Sequence, residues 1–315
     1  MRGPQDELPS ACFAGLGRNS PQNAAGAGRL RADVLPLERL AAATAEWRAL
    51  AASAIEPNVF YEPAFALAAT PVFGRNVFAI TIKSGGDLVG LFPFQIVRRY
   101  GVPPPVLAGW THPFAPLGVP LVAREEAGAV LDAWLDHVSG SPLLPKIVLL
   151  PLLPEDGPFA AELECALKRR STAAARFGRH QRALLCPDED RAGYLERGLD
   201  GKRRKERRRR MRRLRTAGEL AFDYECGEDD ISAALQHFLL LEASGWKGRA
   251  GTAILNRPDV AAFVEKAIQG LAATHQARVD RMLLDGRPIA STLTLSSGDT
   301  AWFWKTAYDE TFRKH

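Results

Sequence analysis

The sequence predicts an α/β protein made of two tandem units, each a mixed central sheet flanked by helices. Three observations carry this. Both halves read helix, helix, strand, Gly turn, strand, with the two hairpin turns at Gly86 and Gly286 lying 200 residues apart. Short apolar strand segments alternate with longer helical stretches throughout. A chain of 315 residues suits two domains of about 150. The boundaries read as a mobile tail over 1–30, a first unit over 31–188 and a second over 189–315.

Residues 1–30 mix Pro, Gly, Asn, Ser and Ala without periodicity, hence the tail. From Glu38 to Ala52 the apolar residues Leu40, Trp47 and Leu50 share a helical face, and a shorter helix follows Glu56-Pro57-Asn58 from Glu62 to Ala69. Strands are expected at Asn76–Lys83 and Leu88–Val97 around the Gly85-Gly86 turn. Residues 101–121 are too rich in Pro and Gly for regular structure, but their Trp110, Phe114, Leu117 and Val119 predict a packed loop. A helix over Arg124–His137, a buried strand at Ile147–Leu150, a helix over Pro158–Arg170 and a strand at Arg182–Cys186 complete the first half.

The second half opens with one long helix from Asp190 to Thr216 and a strand over Leu220–Glu225. The helix Asp229–Ser244 has an acidic start and stops at Gly245. After a loop over Gly248–Asn256, a helix carries Val260, Phe263, Val264, Ala267, Ile268 and Leu271 on one face. A hairpin over Val279–Leu284 and Pro288–Leu295 turns at Asp285-Gly286, and the last strand is the aromatic Thr300–Tyr308.

Composition excludes several classes. At 46% hydrophobic and 24% charged, the chain is neither collagen-like, coiled-coil nor wholly disordered. Its four cysteines form no CxxC pair, which predicts neither a disulfide framework nor a cysteine-rich zinc site, and a reducing compartment. The most apolar stretch, Pro142–Pro154, holds Lys146 and four prolines, so no membrane span is expected and the protein reads as soluble and cytoplasmic. The six histidines lack zinc or helical spacing, and GxSxG, HExxH, Walker and Rossmann motifs are absent from the sequence; no metal is expected. Between Lys202 and Arg215 lie eleven Lys or Arg and one Glu; the rest of the chain holds 30 basic and 35 acidic residues. The pI near 9.1 is therefore the work of one segment.

Three segments are candidates for chemistry. In Leu241–Ala253 a helix end runs into a Gly-rich loop, where Gly245, Gly248 and Gly251 permit close backbone approach and Lys247 and Arg249 add charge; the same residues suit an ordinary helix end with Trp246 as a packed plug. In Trp302–Glu310, alternation sets Trp302, Trp304, Thr306 and Tyr308 against Phe303, Lys305 and Ala307. A lysine buried there needs a carboxylate or an anionic ligand, and Tyr308-Asp309 ends the strand where free backbone N–H groups would meet an anion; the alternative is an edge strand with Lys305 in solvent. The basic run is either a solvated helix or a phosphate clamp for a nucleotide cofactor, a carrier or RNA.

Taken together, Leu239–Thr252, Asp285-Gly-Arg-Pro-Ile-Ala and Trp304-Lys-Thr-Ala-Tyr-Asp-Glu resemble the CelD/BioF2-like acetyltransferases, a branch of the GNAT superfamily related to the FemAB aminoacyltransferases. Trp47-Arg-Ala-Leu, Glu56-Pro-Asn-Val-Phe, Leu88-Val-Gly-Leu-Phe-Pro-Phe and the run from Pro113 to Val122 extend the resemblance over most of 35–315. The resemblance implies two GNAT-like units and acyl transfer from acyl-CoA or acetyl-CoA to an amine or hydroxyl, in cell-envelope or polysaccharide metabolism; FemAB relatives use aminoacyl-tRNA instead. By position, Glu242, Trp246, Lys247, Gly248 and Trp304 fall at the acceptor pocket, and Lys305, Tyr308 and Asp309 near the reacting carbonyl. Tyr308 would protonate the leaving thiolate, Asp309 or Glu242 would act as base, and Arg207, Arg208 and Arg212 would hold cofactor phosphates. The family's Arg/Gln-x-x-Gly-x-Gly/Ala loop is not visible, and its Ser-Pro-Gly element falls due where this sequence ends, so a truncated, inactive second unit with an exposed Trp302–Trp304 edge is expected. The other reading is a non-catalytic GNAT-like protein whose basic helix docks RNA or an acidic carrier.

Overall fold

The structure, a computed structural model, describes residues 30–98, 104–186 and 190–314. The tail expected over 1–30 lies, apart from Leu30, outside the described residues. The fold is α/β, with two sheets flanked by helices. The chain forms two compact units: one runs to Thr172 and takes in Arg257–Ala277 and Leu295–Trp302, and the other holds Ala173–Asn256, Arg278–Thr294 and Phe303 onward.

In the first unit, β1 (Arg31–Pro36) leads through a 3-10 turn into α1 (Thr44–Ser53), and a second 3-10 turn precedes α2 (Pro63–Phe73). The strands β2 (Phe78–Ser84), β3 (Asp87–Val97), β4 (Val106–Gly109) and β5 (Leu121–Val122), helix α3 (Ala127–Gly140), strand β6 (Ile147–Leu149) and helix α4 (Pro158–Arg169) follow. The sheet order is β1-β2-β3-β4-β6 with β5 on β3, all antiparallel except β4–β6. β3 is buried without a break from Leu88 to Phe94, as its near-continuous apolar sequence requires of a strand covered on both faces. Trp47, Trp110 and Trp134 are almost fully buried, with Trp134 stacked on Phe92 at 4.7 Å and the Trp47 indole N–H donating to the Tyr61 carbonyl at 2.8 Å.

Several elements differ from expectation. β1 was not foreseen; its six residues show no clear alternation and become a strand by pairing along β2. The Pro-rich stretch is packed as predicted, since the Asn58 amide donates to the Val119 carbonyl at 2.8 Å, but it also contains β4 and β5. β6 is not buried, for Ile147 stands 48% exposed at the sheet's end. Residues 182–186 form no strand and are exposed throughout, there being no ladder for them to join.

In the second unit the expected long helix is two, α5 (Arg191–Gly198) and α6 (Gly201–Ala217). Asp200 starts the second by accepting from the Arg203 N–H at 2.7 Å, an N-cap between two glycines. β7 (Leu220–Glu225), α7 (Glu228–Ser244) and the one-turn helix α8 (Trp246–Arg249) follow. Helix α9 (Pro258–Ala272), which belongs to the first compact unit, buries all six apolar residues of its predicted face and lies along α2. The second sheet has the order β10-β9-β8-β7, with β8 (Ala277–Leu284), β9 (Arg287–Ser297) and β10 (Thr300–Tyr308). Leu214 of α6 packs with Leu284 and Ile289 of that sheet, and Leu220, Met282 and Phe312 close around them.

β10 is an edge strand as expected, but not with the expected side chains outward. Trp302 and Trp304 are half-buried, and Trp302 meets Phe60 edge-on at 5.3 Å, whereas Phe303 is 66% and Tyr308 44% exposed. Burial alternates through Trp304 and then slips by one residue, so Lys305 and Ala307 turn inward. No helix among the described residues is long and apolar enough to cross a membrane.

Candidate functional site

Gly245 breaks the helix between α7 and α8, and the chain turns back so that residues five apart meet. Glu242, 3% exposed, accepts from Lys247 Nζ at 2.7 Å through one carboxylate oxygen and from the Ile254 N–H at 2.9 Å through the other. The same Lys247 Nζ donates to the Thr306 carbonyl of β10 at 3.2 Å. Glu310, just past β10, accepts from the Trp246 N–H at 2.9 Å and pairs with Arg249. Two polar braces therefore tie α8 to the end of β10: Lys247, held by Glu242, reaches the Thr306 carbonyl, and Glu310 reaches back to Trp246 and Arg249.

Gly248 is required by this packing: a Cβ there would lie 1.7 Å from the Ala243 carbonyl oxygen. The close approach it permits is thus to α7's own backbone. Trp246 is not a plug but stands 53% exposed beside the braces.

Lys305 is half-buried, its Nζ 5.7 Å from the Trp304 ring centre. Burial pushes its ammonium below the usual lysine value, the nearby Lys247 charge adds to the fall, and Glu242 opposes it. A lysine so placed reaches its neutral, proton-accepting form at lower pH than one in solvent.

The other predicted residues are arranged differently. Asp309 is buried and already engaged: Oδ1 accepts from the Thr311 N–H at 2.9 Å and its hydroxyl at 2.6 Å, and Oδ2 pairs with Arg287 at 2.8 Å. The Thr311 bonds first, and Arg287 after them, hold its carboxyl below the usual range. The N–H group expected to meet an anion after Tyr308 is capped by Asp309 itself. Tyr308 faces away from Lys305 across the strand, as three residues' separation in β structure dictates. Arg207 lines a groove beside Arg203 and Arg210, but Arg208 and Arg212 do not, because adjacent helical positions point about 100° apart. One ligand in that groove does not meet all three. Among the described residues no group of His, Cys, Asp or Glu would hold a metal ion.

Residues 201–315 match the model of an acetyltransferase (GNAT) domain. The stretch supports the GNAT superfamily and acyl transfer, and it contains α6 through the last turn, hence every predicted site residue. No curated protein matches the chain. Sequence reasoning missed Glu310, Thr311, Arg287 and the Thr306 carbonyl; Glu310 and Arg287 carried a signal, as members of the Tyr-Asp-Glu and Asp-Gly-Arg-Pro-Ile-Ala pieces.

Proposed function

We propose that this protein transfers an acyl group from acetyl-CoA or a related thioester to an amine or hydroxyl, with Lys305 as the proton acceptor. The observation that carries this is the half-buried lysine beside Lys247 and Glu242, inside the stretch matched by the GNAT model. Glu242 suits a positioning residue better than a base, since both its oxygens are taken. It fixes Lys247, whose charge adds to burial in lowering the Lys305 pKa. Asp309, held ionised by three donors, is a weak proton acceptor. The reading is supported by α8, which carries the exposed Trp246 and sets Lys247 near Lys305. The thioester supplies an activated acyl group. Lys305 takes the proton that the acceptor loses as its nitrogen or oxygen bonds to the acyl carbon and the thiolate leaves. The specific acceptor lies in small amines, amino sugars or hydroxylated glycans, the classes the resemblance implies.

Thiol release from acetyl-CoA over a panel of amines and glycans tests this. Turnover with at least one acceptor, lowered about 10²- to 10⁴-fold in Lys305→Ala with the fold intact, is expected. Absence of both turnover and calorimetric acetyl-CoA binding would overturn the reading.

A further inference from the structure

The end of the second sheet farthest from β10 presents a surface that acyl transfer leaves unused. In β7, Leu220, Phe222 and Tyr224 share one face, because Asp223 and Glu225 both pair with Arg281 on the other. Phe222 and Tyr224 are each 60% exposed, a high value for large rings set two residues apart on a strand, roughly 7 Å along it. Phe222 lies opposite Met282 in the antiparallel register, and Tyr224 opposite Asp280. Arg278 stands 5.4 Å over the Tyr224 ring.

Met282 is also part of the floor of an open groove of about 720 Å³ alongside α6. Met211 and Leu214 share that floor, and Lys202, Arg203, Arg207 and Arg210 rise from α6 along it. Two carboxylates sit among them. Asp200 approaches Arg203, and Glu206 is bound by Arg209 and Arg210, which hold it ionised with a pKa near 2. The lining remains cationic on balance.

A row of cations beside exposed rings on an apolar floor is the combination that binds a flexible, polyanionic chain of flat bases. Cations follow the phosphates and rings stack with bases, irrespective of base identity. We propose that α6 and β7 together bind single-stranded nucleic acid. A bilayer cannot enter a groove, whereas a single strand, with phosphates and flat bases repeating along one chain, uses the cations and the rings together. This inference does not depend on the acyl-transfer reading.

The test is fluorescence anisotropy of the full chain with labelled rU12 and dT12, a 12-base-pair RNA duplex, and phosphatidylglycerol vesicles. Single strands should bind best. The log–log salt slope should lie between about −1.5 and −3, for two to four phosphates at roughly 0.7 each. Phe222→Ala/Tyr224→Ala should weaken rU12 or dT12 binding about 5- to 150-fold with the slope unchanged. Arg203→Ala/Arg207→Ala should lower the slope instead. Circular dichroism checks that each variant is folded, and thiol release from acetyl-CoA by the Phe222/Tyr224 variant reads the other function separately. Equal binding by wild type and the aromatic variant, tighter binding to duplex or vesicles, or displacement of rU12 by one equivalent of acetyl-CoA would each overturn the proposal.

Discussion

Hairpins β2–β3 and β8–β9 turn on the same device, two consecutive residues at positive φ, Gly85 and Gly86 in one and Asp285 and Gly286 in the other. Their surroundings differ. β3 buries seven residues in succession, whereas β8 leaves four adjacent residues half-exposed and carries Asp280 and Arg281 at its centre. The first hairpin is held by apolar covering on both faces. The second is held on one face by a small cluster around Leu214, and its other face combines the buried Ala277 and Val279 with ion pairs such as Arg281 with Asp223 and Glu225. A region built in this way can place a lysine at intermediate depth, where its charge responds to neighbours. A region like β3 cannot, since a charge there would have to be neutralised or fully paired.

The largest effect should therefore come from the apolar region. Trp47→Ala removes a fully buried indole and strands the Tyr61 carbonyl, and should cost about 4–6 kcal/mol by urea denaturation. A cost below about 2 kcal/mol would show that the covering of this hairpin is not what stabilises it. Next, Lys247→Met should cost stability, because it leaves the buried Glu242 carboxylate with the Ile254 N–H but no cation, and in the folded variant it should displace the rising limb of the kcat/KM pH profile to higher pH. The loss of a neighbouring positive charge and the release of Glu242 both raise the Lys305 pKa. A limb that stays put would detach Lys305 from the proton transfer.

A smaller effect tests a charge inside the apolar region itself. Glu62 is 5% exposed, with the Gln276 amide and the Ser297 hydroxyl both donating to its Oε1 at 2.8 Å. Burial nevertheless raises its pKa above the usual 4.5. A folded-state pKa above the unfolded one means that its contribution is present below that usual value and lost as pH rises through the raised one. Glu62→Gln keeps the acceptor and removes the charge, so its stability advantage over wild type should grow as pH rises from the usual 4.5 through the raised value. An advantage that shrinks as pH rises above 4.5 would reverse that sign.

The sequence was legible where one physical rule acted alone. The apolar run after the Gly85-Gly86 turn was readable as a strand, and the 3.6-residue spacing of Val260 to Leu271 gave all six buried positions of α9. It was illegible where pairing or a polar cap decided the outcome. β1 exists because β2 offers it a ladder, β4 hides among prolines, and Asp200 divides a run whose charge alone suggested one helix. The site follows the same division. Glu242, Lys247 and Lys305 were visible as residue types, and the helix break at Gly245 was foreseen. Which of them meet was not visible, because an i,i+5 contact exists only once that break reverses the chain, and because the Thr306 carbonyl is a backbone atom with no sequence signature.

The smallest expected effect lies at the end of β10 and bears on how such polar braces add up. Arg287 pairs with Asp309 at 2.8 Å, but its side chain is 74% exposed, so solvent screens the pair. Asp309 also keeps both Thr311 bonds, and these contribute most to its lowered pKa. Arg287→Ala should therefore cost only about 0.2–1 kcal/mol. Thr311→Ala should cost about as much or more, roughly 1 kcal/mol, since it removes one bond to a buried carboxylate. A carboxyl held low in the folded state stabilises above its usual 3.8, and that contribution is lost as pH falls through the lowered value. The Arg287→Ala deficit should accordingly vanish on acidification, and also in 1 M NaCl, where screening acts within about 3 Å. A deficit above about 2 kcal/mol that survives salt would mean that this pair acts as a buried one, and the contrast between a packed first hairpin and a screened second region would fail at that point.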